Sequence, residues 1–173
     1  MSSTHKNLSA FEGSEVPNAS EFKFAIIVSE WNYEITGALK DGALNTLLTN
    51  GAKNENIFIK HVPGSFELTL GAQYAAEYLE VDAVICIGCV IQGETKHFDF
   101  ICDAVAKGIT NLNIKYNKPF IFGVLTPNNQ QQALDRAGGK HGNKGDEAAI
   151  TAIKMLGLKK SLKKSESGLG FKR

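Results

Sequence analysis

Four short runs of this chain, residues 22–28, 57–62, 83–87 and 120–125, are apolar on most consecutive positions, with Lys23 interrupting the first and Lys60 and His61 the second. A strand that is apolar on both faces has to be covered on both sides, which is the condition of a parallel sheet flanked by helices. The segments between the runs carry the covering pattern. Ile35, Leu39, Ala43 and Leu47 recur four apart, and the pattern stops at Gly51, a residue suited to a left-handed helix C-cap. Phe98, Ile101, Val105, Ile109 and Leu112 fall on one helical stripe. Phe66, Leu70 and Tyr74 start a similar stripe after Ser65, and Ile150, Ile153 and Leu156 form a last one. Strand and helix in alternation make βαβ units, whose right-handed crossovers build a three-layer α/β/α sandwich around a four-stranded parallel sheet.

At 173 residues one domain is expected. Its bounds read as 21–158, with a polar, flexible extension over residues 1–20 and a basic tail over 159–173. Lys and Arg number 19 against 18 Asp and Glu, a net charge of +1 that gives no footprint for nucleic acid or an anionic membrane. The basic tail lacks interleaved aromatics and reads as a solvated terminus. No apolar run approaches the ~18 residues of a membrane span. Three cysteines without framework spacing, behind an opening that lacks a signal-type apolar core, point to a reducing, cytoplasmic setting.

In an open parallel sheet, ligands bind beyond the carboxyl ends of the strands. After the first strand comes Ser29-Glu30-Trp31-Asn32, with the only tryptophan of the chain, an indole suited to stacking on a planar heterocycle. After the second comes Pro63-Gly64-Ser65-Phe66-Glu67, and after the third Gln92-Gly93-Glu94-Thr95-Lys96-His97. His97 lies at a helix start, where the positive end of the helix favours neutral imidazole. Arg136 to Gly145 combine four glycines with an arginine and two lysines, and read either as a mobile turn or as a loop that grips a small phosphorylated substrate. Its spacing is neither that of a P-loop nor of a dinucleotide fingerprint. Cys86 and Cys89 form a C-x-x-C, but residues three apart on a strand face opposite sides, so both read as buried thiols and no metal site is expected. A His97–Cys102 dyad is disfavoured by its five-residue spacing on a helix.

Taken together, Val62-Pro63-Gly64-Ser65-Phe66-Glu67-Leu68, Gly93-Glu94-Thr95-Lys96-His97-Phe98-Asp99, Phe120-Ile121-Phe122-Gly123-Val124-Leu125-Thr126 and Arg136-Ala137-Gly138 with Gly142-Asn143-Lys144-Gly145 resemble the 6,7-dimethyl-8-ribityllumazine synthases. The resemblance spans about residues 22–158. It implies a flavodoxin-like fold and a transferase of riboflavin biosynthesis. The reaction would condense 5-amino-6-(D-ribitylamino)uracil with 3,4-dihydroxy-2-butanone 4-phosphate, releasing phosphate and water without a cofactor.

Position by position, it implies that Trp31 stacks on the pyrimidine and that Ser65, Phe66 and Glu67 hold the ribityl chain. Cys89, Val90 and Ile91 would contact the ring, Glu94, Thr95 and Arg136 would place the phosphate, and His97 would transfer protons. Phe122 would reach into the site of an adjacent subunit. A pentamer is implied, and the compact segment from Gly138 to Gly145 is similar to that of members whose pentamers assemble into an icosahedral shell. Trp31 stands where phenylalanine is commoner in the family and Cys89 where a small residue is. A non-catalytic flavin or lumazine carrier on the same scaffold is the alternative, against which His97 and Arg136 both argue. A flavodoxin-like electron carrier would need a hydroxyl-rich phosphate loop after the first strand, which Ser29-Glu30-Trp31-Asn32 is not.

Overall fold

The structure, a computed structural model, describes residues 16–168, with side chains through residue 163. Four parallel strands, β1 (Phe24–Ser29), β2 (Ile57–Val62), β3 (Ala83–Cys89) and β4 (Phe120–Leu125), form one sheet in the order β2-β1-β3-β4. They are linked by α1 (Tyr33–Thr49), α2 (Leu68–Tyr78) and α3 (His97–Tyr116). A short α4 (Gln130–Leu134) and an antiparallel ribbon of β5 (Ala137–Gly139) and β6 (Gly142–Asn143) lead into α5 (Lys144–Gly168). This is the α/β arrangement around a four-stranded parallel sheet that the alternation of periods implies, and the flavodoxin-like fold that the resemblance implies.

The sheet separates two apolar layers. Alternate side chains of β1 and β3, among them Ile26, Val28, Ile85 and Ile87, pack against Leu39 and Leu47 of α1 and Ile153 of α5. The residues between them, including Ile27, Val84 and Cys86, pack against Leu68 and Ala72 of α2 and Val105 and Ile109 of α3. Both layers are close-packed, at roughly 1.5–3 kcal/mol per fully buried large aliphatic side chain.

Helix α1 ends as its sequence suggests. Gly51 adopts φ 94, its N–H donates to Leu48 O at 2.9 Å, and the N–H of Ala52 donates to Leu47 O at 3.0 Å. These two bonds are the Schellman closure that consumes the last free carbonyls of the helix. At the other end of the layer α5 crosses α1 at almost no distance: a Cβ on Gly145 would stand 1.8 Å from the carbonyl oxygen of Leu39. Asn143 fastens this crossing, its Nδ2 donating to Ala38 O at 2.9 Å and its Oδ1 accepting from the N–H of Gly145 at 2.8 Å.

Three expectations change. The stripe Phe66, Leu70 and Tyr74 does not face the core, since all three are about half exposed; the buried stripe of α2 is Leu68, Ala72 and Ala75. Periodicity identifies an apolar face without saying what covers it. Residues 16–20, read as part of a flexible extension, are docked instead. Val16 packs on the α1/α5 layer, Ala19 is fully buried, and its N–H donates to Asn50 O at 2.9 Å. The basic segment from residue 159 begins no tail, because α5 continues through Gly168, as lysine, leucine and serine permit. The rest of both ends, residues 1–15 and 169–173, lies outside the described residues. No helix among the described residues is long and apolar enough to cross a membrane.

Replacing Gly145 by alanine forces α5 off the Leu39 carbonyl, which is backbone and has no room to yield. The expected outcome is a loss of about 3 kcal/mol or more, read as a lowered midpoint in urea unfolding; an unchanged midpoint would contradict the close crossing.

Candidate functional site

The loops after β1, β2 and β3 meet at one edge of the sheet because their strands are neighbours and all point the same way. Together with the start of α3 they enclose a cavity of about 780 Å³, lined by Trp31, Asn32, Gly64, Ser65, Phe66, Glu67, Cys89, Val90, Ile91, Gly93, Thr95, His97, Phe98 and Ile101. A mostly apolar concavity with a few convergent polar groups is the usual form of a small-molecule site.

Each wall has a local cause. The loop after β1 is fastened to the loop after β2 by two backbone bonds, Glu30 N–H to Val62 O at 2.8 Å and Trp31 N–H to Pro63 O at 3.1 Å. Trp31 is 72% exposed, so its indole stands free at the cavity mouth. Glu67 is the N-cap residue of α2, which places the carboxylate beside Gly64 and Ser65 at the strand-to-helix turn. Ser65 is 6% exposed, and its Oγ is the buried side-chain oxygen without a hydrogen-bond partner among the described residues. An orphaned buried hydroxyl in a cavity wall is costly unless a ligand satisfies it.

On the β3 side, Cys89 is buried in the α1/α5 layer while Cys86 faces the α2/α3 layer, so the C-x-x-C thiols lie on opposite faces of the sheet. Burial pushes both thiols up to about 12. Cys89 is therefore protonated at neutral pH and forms an apolar wall, not a nucleophile. Burial first, and Asp99 second, also raise the Cys102 thiol, which does not line the cavity that His97 lines. His97 opens α3 on the solvent side of the cavity, with its backbone N–H toward Thr95 Oγ1 at 3.4 Å. Among the described residues no cluster of three His, Cys, Asp or Glu is arranged to hold a metal ion.

Three candidate residues stand apart from this cavity. Glu94 is exposed and lines neither cavity. Phe122 and Arg136 belong to a second cavity of about 700 Å³ along the edge strand β4, shared with Thr126, Asn128, Gln132, Lys144, Glu147 and Thr151. Within one chain Arg136 and Thr95 thus line different cavities. The reason is lateral position: Arg136 follows the edge strand β4, whereas Thr95 follows the inner strand β3.

Arg136 uses one guanidinium nitrogen, Nη1, on Gln132 O at 3.2 Å. The glycine-rich segment folds as the β5–β6 ribbon, in which Gly138 and Gly142 take φ 112 and 75. Lys140 pairs with Asp135 at 3.0 Å, and the Gln131 amide and that ammonium hold the Asp135 carboxyl below its usual range. Lys144 pairs with Glu147 at 2.7 Å.

Sequence reasoning passed over Asn32, Phe98 and Ile101 as parts of the cavity. For Asn32 a signal existed: asparagine between a strand end and a helix start is the non-glycine residue that most readily takes the left-handed conformation.

A profile of the family described as 6,7-dimethyl-8-ribityllumazine synthase matches residues 21–160. The chain belongs to that family. Among curated relatives, the 6,7-dimethyl-8-ribityllumazine synthase of Cytophaga hutchinsonii is 64% identical over 156 residues, covering 90% of this chain and 98% of the relative. The protein of the same name from Parabacteroides distasonis is 56% identical over 156 residues, with the same coverage of both chains. That from Phocaeicola vulgatus is 52% identical over 166 residues, covering 96% of this chain and 99% of the relative. The matches run through all four strands, both cavities and the crossing of α1 with α5.

The space for Ser65 is made by Gly88 on β3, where a Cβ would lie 2.7 Å from Ser65 Oγ and 2.8 Å from Leu68 Cδ1. Gly88→Ala is expected to cost about 1–3 kcal/mol in stability and to weaken binding of a polyhydroxylated ligand. Titration by calorimetry checks it, and unchanged affinity would remove Ser65 from the site.

Proposed function

We propose that this chain condenses 5-amino-6-(D-ribitylamino)uracil with 3,4-dihydroxy-2-butanone 4-phosphate to 6,7-dimethyl-8-ribityllumazine, as the family name describes, in a reducing cytoplasmic setting that suits its three unpaired thiols. The observation that carries the reading is the first cavity: an indole, a buried unpaired hydroxyl, a carboxylate and an imidazole converge there from consecutive strand ends.

The chemistry asked of the residues is positioning and proton movement. Trp31 offers a face for the pyrimidine, against the apolar wall of Cys89, Val90 and Ile91. Ser65 and Glu67 offer a hydroxyl and an acceptor to the ribityl hydroxyls, with Phe66 beside them. The pyrimidine amine adds to the butanone carbonyl and water leaves to give an imine; phosphate is eliminated, and the resulting enol tautomerises and closes on the second nitrogen with loss of a second water. Every step is addition, elimination or proton transfer, so held geometry and one proton shuttle suffice. His97 is assigned the shuttle. Glu94 and Thr95, on the same loop, are assigned to orient the phosphate.

Arg136 and Phe122 enter from elsewhere. They lie together on the second cavity, which shares no lining residue with the first. We assign them to the site of a neighbouring subunit, so that one copy supplies Trp31, Ser65, Glu67 and His97 while the next supplies the aromatic ring and the guanidinium. The half-exposed stripe of Phe66, Leu70 and Tyr74 supports this assembly, because an apolar helix face that begins at the cavity is a surface for another copy to cover. One repeated heterologous contact closes into a ring. The ring is read as a pentamer, with pentamers joining into an icosahedral shell. A carrier has no use for either the imidazole or the guanidinium.

His97→Ala is expected to lower turnover by about ten-fold to a thousand-fold without abolishing it, since orientation survives loss of one acid–base group. Arg136→Ala acts on the apparent affinity for the phosphorylated substrate; an effect confined to the pyrimidine would refute the assignment. Lumazine absorbance and released phosphate follow both. Sedimentation of the native protein tests assembly: a monomer contradicts the shared site, and a species of five chains and no larger removes only the shell.

A further inference from the structure

Asn32 joins the loop after β1 to the end of β3 at the first cavity through its side chain. It follows Trp31 directly and adopts φ 60, ψ 44, a left-handed conformation that only one other described non-glycine residue, Asn117, shares. Its Nδ2 donates to the backbone oxygen of Cys89 at 2.9 Å, across the gap between the loop after β1 and the end of β3. Its own carbonyl accepts from the N–H groups of Ile35 at 2.9 Å and Thr36 at 3.0 Å, which starts α1. Thr36 Oγ1 in turn donates to Ser29 O at 2.8 Å.

The backbone bonds from Glu30 and Trp31 tie this loop to the β2 side alone. The amide of Asn32 supplies the tie to the β3 side. A left-handed turn here directs the chain from the sheet edge into the helix, and asparagine tolerates it at little cost, unlike branched or bulky residues. We propose that Asn32 is a positioning residue that sets the slot between the Trp31 indole and the Cys89–Ile91 wall, and so the fit of the planar heterocycle. Identification of that heterocycle with the pyrimidine substrate rests on the function proposed above; the slot itself does not. Asn32 moves no proton, and its effect passes through Trp31.

The test uses the full-length protein and its single tryptophan as reporter. Asn32→Gly keeps the left-handed turn and deletes the amide. Asn32→Asp keeps the shape and turns the donor into an acceptor facing a carbonyl oxygen. Both variants are first compared with wild type by circular dichroism, and one that folds suffices. The expected result is lower Trp31 fluorescence anisotropy and faster acrylamide quenching in the free protein, with KM for the pyrimidine raised about ten-fold and kcat changed less than about three-fold.

Unchanged anisotropy and unchanged KM in a folded variant would overturn the proposal, as would a fall in kcat alone. If the wild type forms no lumazine while the anisotropy of the variants still drops, the functional reading fails and the positioning role stands. If both variants fail to fold, the same reporter is read in Thr36→Val, which cuts the Ser29 tie and leaves the Cys89 bond. Trp31 anisotropy that stays at the wild-type value there supports the amide as the governing tie, and a fall like that expected for Asn32→Gly overturns it.

Discussion

Every residue of β1 and β3 is buried, including all seven of β3, and this shapes the rest of the molecule. Strands with no wet face place their N–H and C=O groups against neighbouring strands, because an unpaired buried backbone group costs about as much as a lost hydrogen bond. They also require an apolar layer above and below. Helices α1 and α5 supply one layer, and α2 and α3 the other. The parallel direction brings every strand-to-helix turn to the same edge, and the central place of β1 and β3 makes their turns immediate neighbours. The first cavity is therefore a consequence of the packing and owes nothing to a dedicated insertion.

The edges of the sheet have the opposite character. β2 is only partly buried, and β4 turns Phe122 outward with 43% of its surface exposed. Phe122 and Arg136, the assigned groups with an aromatic ring and a guanidinium outside the first cavity, lie together along that edge. An edge strand leaves backbone groups unpaired, and here it also exposes an aromatic ring in a cavity that a part-buried arginine lines. The distribution of site groups over two copies proposed above rests on this division between a buried centre and an open rim.

The inner surface of the first cavity carries little charge. Cys89 is held as a neutral thiol by burial, and the carboxylate and imidazole stand at the exposed rim with the indole. Such a site suits a substrate that brings its own nucleophile and leaving group, for which geometry contributes most of the acceleration. The unpaired Ser65 hydroxyl and the unbranched space at Gly88 belong together: the glycine exists where it does because the serine occupies the volume of its missing side chain.

The four strands were legible because apolar runs of strand length between helical periods admit few other folds, and α1 was legible to its last turn from Leu47 and Gly51. Trp31, Ser65, Glu67 and His97 were legible as neighbours because they lie beyond the ends of β1, β2 and β3, three adjacent parallel strands, so that topology brings them together. The outward face of α2 was not legible, since Phe66, Leu70 and Tyr74 obey the same spacing as a core stripe and only the packed layers show that Leu68, Ala72 and Ala75 took that place. Nor was the separation of Arg136 from Thr95, because distance along the chain says nothing of which strand lies at the rim. The bond from Asn32 to Cys89, between residues 57 positions apart, was invisible for a related reason. Local pattern determines which segments become strands and helices through periodicity and burial; which groups meet across a gap depends on the order of strands in the sheet, and that order is set by the packing of all the layers at once.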